Sequence, residues 1–221
     1  MRVSAIVALM GAMLALASTP AFAQIDRLYV GGAGGFAAAP DGTSGTVVGE
    51  VGWRVAPNVY LIGDVGQFHN VQPSQLQPAI DNETLTLLNS GLTVTGTARV
   101  PAWYTTGGVR VQVPIGMRIV PYFSGTAGLA RITPSAQFTY SSGTLVGASP
   151  SAGDDVTAQL VSIGDFTQPP GSNALMISAG GGIEVPIAPH MALDVGYRLS
   201  HIAVATPVNA QSVIFGFEYQ F

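Results

Sequence analysis

Residues 213–221 read Val213-Ile-Phe-Gly-Phe-Glu-Tyr-Gln-Phe221. Apolar and aromatic side chains take every second position: Val213, Phe215, Phe217, Tyr219 and Phe221. Ile214, Gly216, Glu218 and Gln220 alternate with them. A period of two belongs to a β-strand, whose successive side chains point to opposite faces. This strand is greasy on one face and carries a carboxylate and an amide on the other. The pattern recurs along the chain, and the direction of the two faces decides the fold.

The bulk composition narrows the choice. The chain is 48% hydrophobic and 9% charged, with a formal net charge of −4. Its mean hydropathy is positive. Cys and Lys are absent, and all eight basic residues are Arg. No disulfide framework or thiolate metal site is available, and without a basic block nucleic-acid binding is not expected. Residues 1–23, "MRVSAIVALMGAMLALASTPAFA", combine a positive start, a short apolar run and Ala21-Phe22-Ala23. These are the marks of a cleaved secretory signal peptide. The reading then gives a single domain over 24–221. Beyond Ala23 no run of 18 apolar residues occurs, so no transmembrane helix is expected. An oily exported chain without such a helix points to a closed β-barrel, the other structure that satisfies every backbone group in lipid.

No helical period is sustained, whereas period two is common. Eight strands are predicted, at Leu28–Ala37, Gly45–Val55, Val59–Phe68, Trp103–Val113, Arg118–Arg131, Ala174–Val185, Met191–Ile202 and Gln211–Phe221. Most have ten or more residues, the length of a tilted membrane strand. Three connections are tight and contain Pro: 55–58, 113–117 and 185–190. The others, 38–44, 69–102, 132–173 and 203–210, are longer. Short turns at one end and long loops at the other describe an eight-stranded antiparallel up-and-down transmembrane barrel with both mature termini periplasmic. "SAQFTYSSGTLVG" (135–147) and "DDVTAQLVSIGDF" (154–166) read as strand extensions above the membrane; a ten-stranded barrel is the alternative.

Parity places the charges. Glu50 and Arg54 share one face of the second strand, with Val47, Val51, Trp53 and Val55 on the other. Asp194 and Arg198 oppose Met191, Leu193, Val195, Tyr197 and Leu199. Glu184 opposes Ile183 and Val185, and Arg110 opposes Val109 and Val111. A soluble barrel would hide the apolar rows, but a membrane barrel turns them outward. An outward Arg at mid-membrane costs about 2–4 kcal/mol, which accounts for charge-free apolar rows. Aromatics at both strand ends suggest interfacial girdles: Trp53, Tyr60, Tyr219 and Phe221 at one, Phe36, Phe68 and Trp103 at the other. The predicted lumen set is Glu50, Asp64, Glu184, Asp194 and Glu218 with Arg54, Arg110, Arg118 and Arg198. Five acids against four bases in a narrow interior read as an ion-paired plug. The glycines Gly31, Gly32, Gly34, Gly35, Gly107, Gly108, Gly180, Gly181 and Gly182 leave space for those side chains and permit curvature. "GGAGG" (31–35) precedes no helix, so it is not a phosphate loop.

On "LYVGGAGGF" (28–36), "VPYFSGTAGLARI" (120–132), "GGGIEVPIAPHMALDVGYRLSHI" (180–202) and "FGFEYQF" (215–221), the chain resembles the small outer-membrane β-barrel family of Gram-negative bacteria. This porin-like group includes the opacity-type surface proteins and the transmembrane domain of OmpA. The resemblance implies residence in the outer membrane among its lipids. It also implies that Phe217, Tyr219 and Phe221 form the signal read by the barrel assembly machinery. No peptidoglycan-binding domain like that of OmpA-type proteins is recognised.

Three functions follow. The first is a structural or surface-interaction barrel whose loops at 69–102 and 132–173 meet an extracellular partner. The second is a narrow porin for small solutes. The third, a membrane-embedded enzyme acting on lipid or peptide, would need a His with an acid at the rim. His69 with Asp64 is the nearest such pair, and His190 and His201 are scattered. Polar rim residues explain all three better, so the expectation is no catalytic site, cofactor or metal. A soluble lipocalin-like barrel is the rival fold.

Overall fold

The computed structural model describes residues 28–39, 42–71, 73–115 and 119–221. Eight strands close into an antiparallel barrel: β1 (Leu28–Ala39), β2 (Gly42–Ala56), β3 (Val59–Phe68), β5 (Ala102–Gln112), β6 (Val120–Ile132), β8 (Ser172–Ala188), β9 (Met191–Ala203) and β10 (Val208–Gln220). β1 closes the ring against β10, with Val30 opposite Tyr219 and Phe36 opposite Val213. Closure leaves no edge strand, so every strand finds a backbone partner on both sides. Among the described residues no helix is long and apolar enough to cross a membrane.

The apolar rows point outward. Leu61, Val109, Leu175, Ile177, Leu199, Phe215 and Phe217 are all exposed on the outer wall. The charges of the same strands point inward, with Asp64, Arg110, Glu184, Asp194, Arg198 and Glu218 buried. This is the inverted arrangement of a membrane barrel. Two girdle residues depart from the reading. Phe68 is 1% exposed and Tyr60 is partly buried. Both share the parity of Asp64, so they turn into the lumen with it.

Several strands also run further than predicted. β1 reaches Ala39 and β2 begins at Gly42, leaving a tight connection in place of the expected loop at 38–44. Only 204–207 separates β9 from β10. Paired backbone is satisfied in water as well as in lipid, so the ladder does not stop at the membrane edge.

The two remaining connections build a cap on the barrel mouth. It contains α1 (Pro73–Asn89), β4 (Leu92–Arg99), β7 (Ser135–Gly143) and α2 (Thr157–Ile163). Within 135–147, Ser135–Gly143 is a strand extension and not a ninth barrel strand, since β7 pairs with β4 in a separate two-stranded sheet, while 144–147 turns away from it. The ladder is the upward continuation of β5–β6. Ala102 faces Ile132, and three residues further each way Arg99 faces Ser135. Pro101 and Pro134 interrupt it because neither has an N–H to give. Even so, Thr133 N donates to Pro101 O at 3.0 Å.

Both helices contradict the all-strand reading. α2 falls within 154–166, where an extension was expected. α1 carries Leu76, Ile80 and Leu87, a helical stripe that Pro78 and the Thr/Asn content disguise. Ile80 and Leu87 join Leu92, Val94, Phe138 and Leu160 in one buried cluster.

Side chains also finish the sheet edges. Gln77 donates to Gly96 O (3.0 Å) and accepts from Ala98 N (2.9 Å), in the way a neighbouring strand would. Gln168 does the same for the N–H and C=O of Ala136. Asp155 precedes α2 and accepts from Thr157 N (3.0 Å), Thr157 Oγ1 (2.5 Å) and Gln137 Nε2 (3.1 Å).

Two expectations follow. Gln77→Ala leaves Ala98 N–H and Gly96 C=O unpaired, an effect of about 1–3 kcal/mol. Hydrogen exchange should accelerate across β4 and leave the barrel strands unchanged. The hydrogen bonds from Thr157 hold the Asp155 carboxyl below the usual carboxylate range. A depressed folded-state value contributes stability that is complete above the unfolded value of about 3.9 and fades as pH falls below it. Amide protection in α2 should therefore decline on acidification through that window, and Asp155→Asn should remove the pH dependence.

Candidate functional site: a two-tier lumen under a cap

Inward parity stacks the interior into two tiers. The tier nearer the short turns is ionic, and Arg110 on β5 is its hub. Its Nη1 lies 2.8 Å from Glu50 Oε1 and 2.5 Å from Glu218 Oε1. Its Nη2 lies 2.7 Å from Glu184 Oε1 and 3.6 Å from Asp194 Oδ1. Arg198 on β9 bridges Asp64 Oδ2 at 2.9 Å and Glu50 Oε2 at 3.4 Å. Gln112 Nε2 donates to both oxygens of Glu184, and Thr106 Oγ1 donates to Asp64 at 3.2 Å. Six strands thus converge on one guanidinium or the other. Arg110 is 1% exposed, so its charge is tolerable only because carboxylates surround it.

Seven of the nine predicted lumen residues meet here. Arg54 does not. It sits half-buried near the turn and makes no ion pair among the described residues. Arg118 lies outside the described residues. The expected near-balance of charge consequently becomes five carboxylates around two guanidinium groups.

Three tyrosines complete the tier and were missing from the sequence reading. Tyr29 donates to Glu50 and accepts from Arg110 Nη1 at 3.0 Å. The Arg110 guanidinium lies 3.6 Å from the centre of the Tyr122 ring, a cation–π contact shielded from water. Tyr104 lies higher, against Phe68. Each tyrosine faces a glycine across the ladder: Tyr29–Gly52, Tyr104–Gly66 and Tyr122–Gly182. A Cβ at Gly52 or Gly66 would collide with the ring opposite. These glycines are the seats of the aromatics, a cross-strand pairing that also pins register. For Tyr104 and Tyr122, shared parity with Arg110 and Arg118 was the available signal; β1 carries no charge to mark Tyr29.

The tier nearer the cap is apolar. Phe68, Ala102, Ala130, Ile132, Met176, Ile202, Val208 and Ala210 fill it. Val71, Val100 and Leu76 enter from the cap, and Leu76 also touches the cap's own core. Leu76 thus links the apolar tier of the barrel to the core of the cap. The ionic tier borders a cavity of about 20 Å³, lined by Glu50, Tyr122, Asp194, Arg198 and Glu218 among others. That is about the room one water molecule needs.

The candidate His–acid pair is not formed. His69 is exposed beyond the end of β3, while Asp64 is buried against Arg198. His201 contacts Asn209 at 2.7 Å, and His190 contacts Gln220 O at 3.1 Å. No cluster of three metal-binding side chains occurs among the described residues.

Arg110→Gln should destabilise the barrel by about 3–5 kcal/mol, because four carboxylates lose their buried counter-charge. Arg54→Gln should change stability by under about 1 kcal/mol. Thermal loss of the folded, fast-migrating gel band in detergent compares the two.

Three solved structures are similar to this chain. Neisserial surface protein A superposes with a TM-score of 0.54 at 15% identity, covering 88% of this chain and 97% of that one. Ail, the attachment invasion locus protein of Yersinia pestis, gives 0.45 at 13% identity over 88% and 97%. The N-terminal barrel of Pseudomonas aeruginosa OprF gives 0.45 at 14% identity over 89% and 100%. No curated protein matches. The outer membrane protein beta-barrel domain matches residues 9–221. With its closed eight-stranded wall and outward apolar rows, the chain belongs to the outer membrane protein beta-barrel family.

Proposed function

We propose that this outer-membrane barrel is a non-conducting scaffold that presents its cap to partners outside the cell. The observation that carries the reading is the apolar tier, to which all eight barrel strands contribute and which Leu76 links to the cap core. Hydrated ions do not cross a dry, close-packed interior. The cap, in contrast, is ordered surface with its own buried cluster and finished edges. Function on loops held by a rigid barrel is the usual division of labour. Catalysis plays no part in this reading.

The same reading takes 1–23 as a leader removed on export, 24–221 as one domain, and both mature termini as periplasmic. Phe217, Tyr219 and Phe221 serve as the assembly signal. Their support is position: all three are exposed on the lipid face of β10, the strand that closes the ring on β1. The ion-paired residues around Arg110 and Arg198 act structurally, holding six strands together. A narrow porin is the second reading, favoured by the charged tier and its small cavity.

Reconstituted in planar bilayers, the protein should show no stepwise conductance; discrete openings would favour the porin. An epitope inserted beside Gly147, in an exposed turn of the cap, should bind antibody on intact cells. Binding only after permeabilisation would reverse the orientation.

A further inference from the structure

The outer face of the long ribbon formed by β4–β5 and β6–β7 carries an unexplained pair of charges. Five arginines lie among the described residues: Arg54, Arg99, Arg110, Arg131 and Arg198. Arg110 and Arg198 are consumed in the lumen, and Arg54 faces the turn end. Both others lie on this one face. Arg131 is the cross-strand partner of Trp103, and both are exposed. Arg99 is on the same face, four residues beyond Trp103, about 13 Å at ordinary strand rise. Burial alternates without a break from Ala98 to Trp103, which fixes the shared direction.

Height gives the face its meaning. The outer row of β5, begun by Val113 just past its end, runs Val113, Val111, Val109, Gly107, Thr105, Trp103. Ten residues tilted by about 40° span about 25 Å, the height of the lipid-facing band of such barrels. Trp103 therefore marks the membrane boundary, where indole rings collect. Arg131 lies beside it, and Arg99 above. Neither makes an ion pair among the described residues. The carboxylate of Asp155, which feels the charge of Arg99, is already engaged by Thr157 and Gln137. Guanidinium groups matched in height to a headgroup layer, in a protein of net negative charge, complement an anion of that layer. Their planar forks suit phosphate oxygens.

We infer that Trp103, Arg131 and Arg99 form a seat for the monoester phosphate of a phosphorylated lipid headgroup in the leaflet on the cap side, in preference to the zwitterionic phosphodiester of phosphatidylcholine. The indole packs at the junction of acyl chain and headgroup, Arg131 takes the phosphate at the boundary, and Arg99 reaches the outer part of the same headgroup. The leaflet named rests on the orientation proposed above; the binding itself does not.

The test uses the full protein in phosphatidylcholine nanodiscs, which present both leaflets, in a Trp53→Phe background that leaves Trp103 as the sole indole. Lipid A bearing its phosphates is titrated, and Trp103 fluorescence is followed. A saturable change is expected, with half-saturation about fivefold weaker in Arg131→Gln and in Arg99→Gln. Arg54→Gln should be unaltered, and Arg131→Lys, which keeps the charge but loses the planar fork, should bind between Arg131→Gln and the parent. Dephosphorylated lipid A should give no change, and inorganic phosphate should neither mimic nor compete. Equal responses to both forms of lipid A, or Gln variants that bind like the parent, would overturn the proposal. Competition by inorganic phosphate would also overturn it, in favour of a free-anion site. Folding of each variant is checked by its gel mobility before titration.

Discussion

One buried guanidinium holds the interior together. Arg110 reaches four carboxylates from β2, β8, β9 and β10, and so links β2 to strands on the other side of the ring with which it shares no ladder. A lone charge at that depth would be intolerable, and so would the carboxylates without it. The tier is therefore all-or-none, satisfied when the ring closes with the right stagger and costly otherwise. Arg198 repeats the logic one level up, tying β9 to β2 and β3. Outside, lipid imposes the complementary rule that no charge may stand on the apolar rows. These two demands, on opposite faces of the same strands, leave one arrangement.

The inner wall then changes character with height. Near the turns it is polar, and the Tyr–Gly pairs wedge aromatic rings between the charges. Nearer the cap it becomes an ordinary hydrophobic core. That switch lets the cap join the barrel. Val71, Val100 and Leu76 descend into a surface that already excludes water. Leu76 touches both this tier and the cap's own buried cluster, so the two long connections carry a structure of their own above the barrel mouth.

The outer wall is graded as well. Apolar rows end at Trp103 and give way to arginines, then to Thr95, Thr97 and Gln137 on the cap ribbon. The face passes from the β5–β6 ladder to the β4–β7 ladder across the break at Pro101 and Pro134, and the outward parity is kept on both sides of it.

The sequence by itself determined the strands and their sidedness. Side-chain parity is fixed by covalent geometry, and lipid rejects charge, so Glu50, Arg110 and Phe217 could be placed before any contact was known. Even Phe68 and Tyr60, misread as girdle residues for their location at strand ends, carried the correct parity. The helical stripe Leu76, Ile80, Leu87 was legible too, but Pro78 masked it and its partners lay far away. Only the tertiary structure decided which acid meets which base, why Arg54 stays outside the network, and that β4 and β7 continue β5 and β6. Arg198 and Glu50 are 148 residues apart. Their meeting depends on ring closure and stagger, which are properties of eight strands at once and of no single segment.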